Sequence, residues 1–206
     1  MEIIMHDSNG GLFNQTNTTN FLLEVPDGNL TKAFKLNLQV AAVPGIHIPV
    51  TEVAGQPQGM HRASLSSASI EFDAVACRFL VDEKLESWVQ CYQWMLACNN
   101  YLNRDKSGWG RNDGFPDAVL MHILDNDKRD IVMTIRYVGA WISDLSEIEY
   151  SLAEDSDVPM YCTATLNYKY IEVEQNGVII EGRAPINEAR EVQLQAQIRG
   201  RHPSMQ

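Results

Sequence analysis

The chain is poor in the residue patterns that do chemistry. Its five histidines (His6, His47, His61, His122, His202) are scattered, with no pair four apart and no cysteine cluster beside them, so the spacing that signals a zinc site is missing. No Gly-x-Ser-x-Gly turn offers a nucleophile. Gly108-Trp109-Gly110 lacks the preceding strand and following helix of a phosphate loop and reads as a turn. The four cysteines (Cys77, Cys91, Cys98, Cys162) contain no Cys-x-x-Cys, and Cys91 and Cys98 lie about two helical turns apart, too far to bridge; they read as reduced, small core hydrophobes. No stretch reaches the roughly 20 apolar residues of a membrane span, and Glu2, His6 and Asp7 do not suit an export signal. Positive charge is also scarce: 16 Lys and Arg stand against 27 Asp and Glu. Tight phosphate binding needs concentrated basic residues, so a nucleic-acid-gripping surface is disfavoured.

The charge is uneven. Residues 1–182 carry 12 basic and 25 acidic residues, whereas 183–206 hold Arg183, Arg190, Arg199 and Arg201 against Glu188 and Glu191. An acidic body therefore precedes a mildly basic tail. At 206 residues and 45% hydrophobic content the chain suits one globular domain with a proper core. Three segments are expected: a flexible stretch over 1–20 rich in Ser, Asn, Gly and Thr, a β domain over 21–182 with a helix at 82–100, and a C-terminal arm over 183–206.

Within the body most apolar patterns have period two. Phe21–Val25 reads as a strand stopped by Pro26-Asp27-Gly28-Asn29. Phe34, Leu36, Leu38 and Val40 alternate with polar residues and predict a second strand, broken by Val43-Pro44-Gly45-Ile46. Ile48–Val53 suggests an extended segment with Pro49 on an edge, residues 54–69 a long loop, and Ile70–Val81 a strand with Val75, Cys77, Phe79 and Val81 on one face. Ala118–Leu124 and Arg129–Val138 form a hairpin around Asp125-Asn126-Asp127-Lys128; residues 103–117 read as a loop and Trp141–Tyr150 as a connector. Met160–Glu174 reads as one long strand, turning at Asn176-Gly177. The one prominent helix follows Asp82, a candidate cap, with Glu83 and Glu86 favouring the positive end of its dipole. Leu85, Trp88, Val89, Tyr92, Met95 and Leu96 make its apolar stripe, and Trp94, which points off that stripe, is a candidate for contact with a neighbouring subunit.

Three local patterns carry a resemblance: Val43-Pro44-Gly45-Ile46 after an early strand, the strand-to-helix junction from Phe79 to Trp88 and on to Trp94, and Gly139–Tyr150 ahead of the Met160–Glu174 strand. With them the chain resembles the tail-tube proteins of contractile-tailed bacteriophages, whose relatives include baseplate tube initiators and the type VI secretion tube protein. The long 103–117 loop and the Arg183–Gln206 extension depart from the plainest tube subunits and suit a ring that meets a second kind of protein.

The resemblance implies a mainly β (α+β) fold, a tail-tube-like sandwich or barrel that closes into a hexameric ring by oligomerisation. It implies a structural role in the tail tube or the baseplate initiator ring, with a tail terminator or other ring adaptor as the alternative. Adjacent tube, baseplate or sheath proteins would be partners. DNA would pass the lumen without specific binding, in a virion tail assembled in the host cytoplasm and without membrane contact. No catalytic, cofactor-binding or metal residues are expected. Interface candidates are Trp94, Trp109, Trp141, Arg183, Arg199 and Arg201. A small soluble binding module using Trp94, Trp109 and the long loops is a competing reading. An enzyme on the same scaffold would need a deep pocket with convergent polar groups.

Overall fold

The computed structural model describes residues 15–54, 62–102, 116–152 and 158–182. Nine strands form two antiparallel sheets that face each other. A five-stranded sheet runs in the order β1(Phe21–Glu24), β8(Ala118–Leu124), β9(Ile131–Val138), β12(Tyr170–Gln175) and β13(Val178–Ile179). A four-stranded sheet runs β10(Trp141–Leu145), β11(Tyr161–Asn167), β7(Val75–Leu80) and β2(Leu38–Ala41). Two short ribbons, β3(Ile46–His47) with β6(Glu71–Phe72) and β4(Val50–Ala54) with β5(Arg62–Ser66), extend the chain between β2 and β7 into an arm. The helices are α1(Lys32–Asn37) and α2(Glu86–Cys98).

Alternation sets the core. Val75, Cys77 and Phe79 on β7 lie opposite Leu166, Ala164 and Cys162 on β11, and all six are buried. Across from them Val119 and Met121 of β8 pair with Tyr137 and Ile135 of β9, and Leu23 of β1 extends the same face. Phe34 of α1 meets Phe79 edge-on at 5.3 Å between ring centroids. Cys91, Trp94 and Cys98 of α2 complete this single core, so the four-stranded sheet is covered on one face by the other sheet and by the helices. Neither sheet closes into a barrel: each ends in two outer strands.

The mainly β architecture agrees with the sequence expectation, as do β1, the β8–β9 hairpin and the Asn176-Gly177 turn, where both residues have positive φ (52° and 79°). Several boundaries differ. Residues 32–37 are helical rather than extended, so there are two helices. Asp27 accepts from the backbone N–H of Asn29 and Thr31, Gln90 caps the turn from α2, and only Phe34 of the alternating set is fully buried while Leu36 is 73% exposed. The expected 54–69 loop contains β5, held by five registered pairs with β4. Ile70–Val81 is two strands, interrupted before β7. Trp141–Leu145 is a strand, because β11 offers it an edge. Met160–Glu174 is two strands in different sheets. The chain crosses at Tyr168-Lys169, where Lys169 N–H bonds to Val138 O and Tyr168 packs on Tyr137. The expected 82–100 helix begins at Glu86 and ends at Cys98; Leu85, with φ 57°, marks its start.

Candidate assembly interface

Outer strands define the first candidate surface. On the four-stranded sheet these are β10 and β2, and each joins its neighbour through an irregularity, between Ile142 and Asp144 and between Leu38 and Val40. On the five-stranded sheet they are β1 and β13. An unpaired strand edge is a template for another chain. The apolar residues beside these edges are exposed: Leu22, Val40, Val43, Val178 and Ile179.

Beside β10 lies an open cavity of about 770 Å³ between that strand and the C-terminal half of α2, lined by Tyr92, Met95, Leu96, Tyr101, Trp141 and Ile142. Trp141, an interface candidate, is half-buried at the head of this edge strand. Trp88 stacks on Tyr92 (5.3 Å, 14°), whose hydroxyl meets that of Tyr101 at 2.7 Å.

Trp94 is not on the surface. It is 8% exposed, because the buried face of α2 is Ser87, Cys91, Trp94 and Cys98, spaced by four, three and four residues. The stripe read from the large apolar residues is rotated away from this face. The helix presses its small residues towards Cys77 and Cys162, where larger ones would not fit. Treating Cys91 and Cys98 as phase markers, given how often free cysteine is buried, would have found it. Trp109, Arg183, Arg199 and Arg201 lie outside the described residues, as do most of the expected 1–20 segment and the 183–206 arm.

The electrostatics are structural in character. Burial alone tends to raise the Asp82 carboxyl, but hydrogen bonds from the Ser87 hydroxyl, Ser87 N–H (2.9 Å) and Glu86 N–H (2.8 Å) bring it down to about 2. Asp82 thus caps α2 from the turn before it. Burial pushes the Cys77 thiol up to about 12, Cys98 to about 11, and Cys91 higher still, so these thiols stay protonated.

The arm is stiffened at one point. Pro44 is buried, Gly45 O accepts from Asp73 N–H (3.0 Å), and the Tyr168 hydroxyl donates to Asp73 O (2.7 Å). A Cβ on Gly45 would sit 2.3 Å from an Asp73 carboxylate oxygen, so this close approach suits glycine. Val43, just before this knuckle, is 53% exposed. Further out, Arg62 pairs with Glu52 (2.8 Å), and Val50, Val53 and Leu65 are exposed.

No family model matches the chain. Solved structures share its fold. A chain of the six-fold symmetrised anti-feeding prophage baseplate aligns with TM-score 0.58 at 12% identity, over 81% of this chain and 100% of that one. The sheath/tube terminator of an extracellular contractile injection system in its extended state aligns with TM-score 0.54 at 10% identity, over 80% and 99%. The tube-terminating cap of the anti-feeding prophage aligns with TM-score 0.51 at 8% identity, over 84% and 99%. The fold is therefore one shared with chains of contractile injection machines. In sequence, the tail tube terminator protein of Enterobacteria phage T4 is 46% identical over 169 residues, which span 82% of this chain and 94% of that protein. The chain belongs to the tail tube terminator family, a structural component of the virion tail. Relatedness thus favours the terminator, the alternative in the sequence reading, over a tube subunit or baseplate initiator.

Proposed function

We propose that six copies of this chain close into a ring that ends the tail tube, with a lumen for the genome and no catalytic step. The observation that carries this reading is the pair of sheets that stay open, each ending among the described residues in two outer strands. Strand parity favours one of them as the continuous wall. Every pairing in the four-stranded sheet is antiparallel, so β10 and β2 run in opposite directions. Rotation about an axis along the strands preserves direction, and β2 of one copy then meets β10 of the next in antiparallel fashion. The five-stranded sheet, also all antiparallel, has outer strands running the same way and would join in parallel, the slightly weaker pairing. Ring closure would satisfy edges that otherwise invite aggregation.

The face of the four-stranded sheet turned away from the core carries Val40, Ala76, Arg78, Thr163, Thr165 and Asp144. The Arg78 guanidinium lies 4.0 Å from the Tyr161 ring centroid, so it is held on the protein surface. Short hydroxyl side chains with one cation, already engaged by a ring, among the described residues suit passage of DNA without tight binding. The exposed apolar residues of the β4–β5 ribbon would reach the adjacent tube or sheath protein. Mass photometry and negative-stain microscopy of the purified full-length chain test the proposal. Six-membered rings with a central hole are expected; a persistent monomer at high concentration would end it.

A further inference from the structure

Parity and the arm's knuckle together identify a specific contact. We infer that Val43 of one copy seats in the cleft between α2 and β10 of the next copy, against Met95, Leu96 and Ile142; this rests on the ring reading above. Three observations lead there. The first is direction: with β2 antiparallel to its neighbour's β10, the chain leaving β2 runs towards the Trp141 end of β10, and the sheet registers set Ala41 level with Leu145 and Val43 level with Ile142. The cleft opens at that end, lined by Trp141, Ile142 and Ser143.

The second is facing. Ala41 pairs with Cys77 and Leu38 with Phe79, both buried towards the core, and a residue two beyond Ala41 keeps that side of the extended chain. Val43 therefore lies on the core side of the sheet, where in its own subunit it borders an open cavity with Met121 and Ile123 and where, in a continuous wall, the neighbour's α2–β10 cleft also lies; Val40, opposite Arg78, points to the other face. The third is preorganisation. Pro44 is buried in its own subunit and Gly45 is bonded to Asp73, itself held by the Tyr168 hydroxyl, so Val43 is presented at 53% exposure from a constrained backbone. A group fixed before binding loses less entropy on docking. The Val-Pro-Gly segment thus acquires a purpose that its own fold does not require: a half-exposed apolar side chain held just beyond an outer strand.

The cleft is lined mostly by apolar side chains, with Asn99, Ser143 and Lys169 among them, and at about 770 Å³ it is large enough to accept one aliphatic side chain with its backbone. Burial of the native thiols keeps background reaction low, so bismaleimide cross-linking of the full-length chain reads the contact directly. The double variant V43C/L96C is expected to give a ladder of covalent dimers up to the ring size in denaturing gels, and each single variant none. V43E, at a site exposed in the isolated subunit, is expected to abolish the ring peak while leaving far-UV circular dichroism unchanged and the subunit cooperatively folded. The inference is overturned if the chain forms rings but V43C/L96C gives no ladder, or if the ladder comes from L22C/V178C, which would make the five-stranded sheet the junction. A wild-type chain that never oligomerises would remove the ring itself and this contact with it.

Discussion

The side-chain carbonyl of Gln90 on α2 accepts hydrogen bonds from the backbone N–H groups of Ala33 (2.8 Å) and Phe34 (3.2 Å), so one helix caps the other across 56 and 57 residues of sequence. A six-residue helix has too few internal bonds to persist alone. Gln90→Ala should leave both donors without this partner and cost about 1–3 kcal/mol in urea denaturation. Gln90→Glu, which keeps an acceptor, should recover most of the loss.

Trp94 and Trp88 should behave oppositely to their sequence pattern. Trp94→Ala empties a buried position and should cost about 3–5 kcal/mol. Trp88 is only half-buried and stacks on Tyr92, so Trp88→Ala should cost clearly less. Equilibrium denaturation of the two variants decides the order.

Asp82 should make stability depend on acid. Its folded-state pKa, about 2, lies below the unfolded value of about 3.9, so its contribution is fully present above the latter and is lost as pH falls through the former. Asp82→Ala should cost about 1 kcal/mol at neutral pH, as loss of a helix cap does. The gap between wild type and variant should close between about pH 4 and pH 2, measured by denaturant titration at each pH.

The cysteines should be silent in the native protein. Cys77, Cys91, Cys98 and Cys162 are all buried, and burial raises each thiol. A thiol reagent at pH 8 should label essentially none of them before denaturation and all of them in guanidinium. Rapid native labelling of any one would show that the helix layer opens readily.

Local patterns were enough where the chain contacts itself over short distances. The β8–β9 hairpin and the β12–β13 turn are written in alternating apolar residues around Asp125–Lys128 and Asn176-Gly177, because a hairpin needs only its own turn and register. The acidic start of α2 was legible for the same reason: Asp82 acts within five residues. Of the interface candidates, Trp141 stands at an outer strand and Trp94 in the core, a distinction that depends on helix phase and so on what α2 packs against.

The amino-acid order by itself determined a mainly β chain with a capped aromatic helix, an acidic body and a set of patterns shared with tube proteins. Tertiary structure decided the rest. It made α1 a helix through Gln90, split Met160–Glu174 between two sheets, turned Trp94 inward and drew Trp141–Leu145 to the edge of β11. Each of these depends on a partner distant in sequence, and alternation alone cannot say which sheet a strand joins or which helix face meets it.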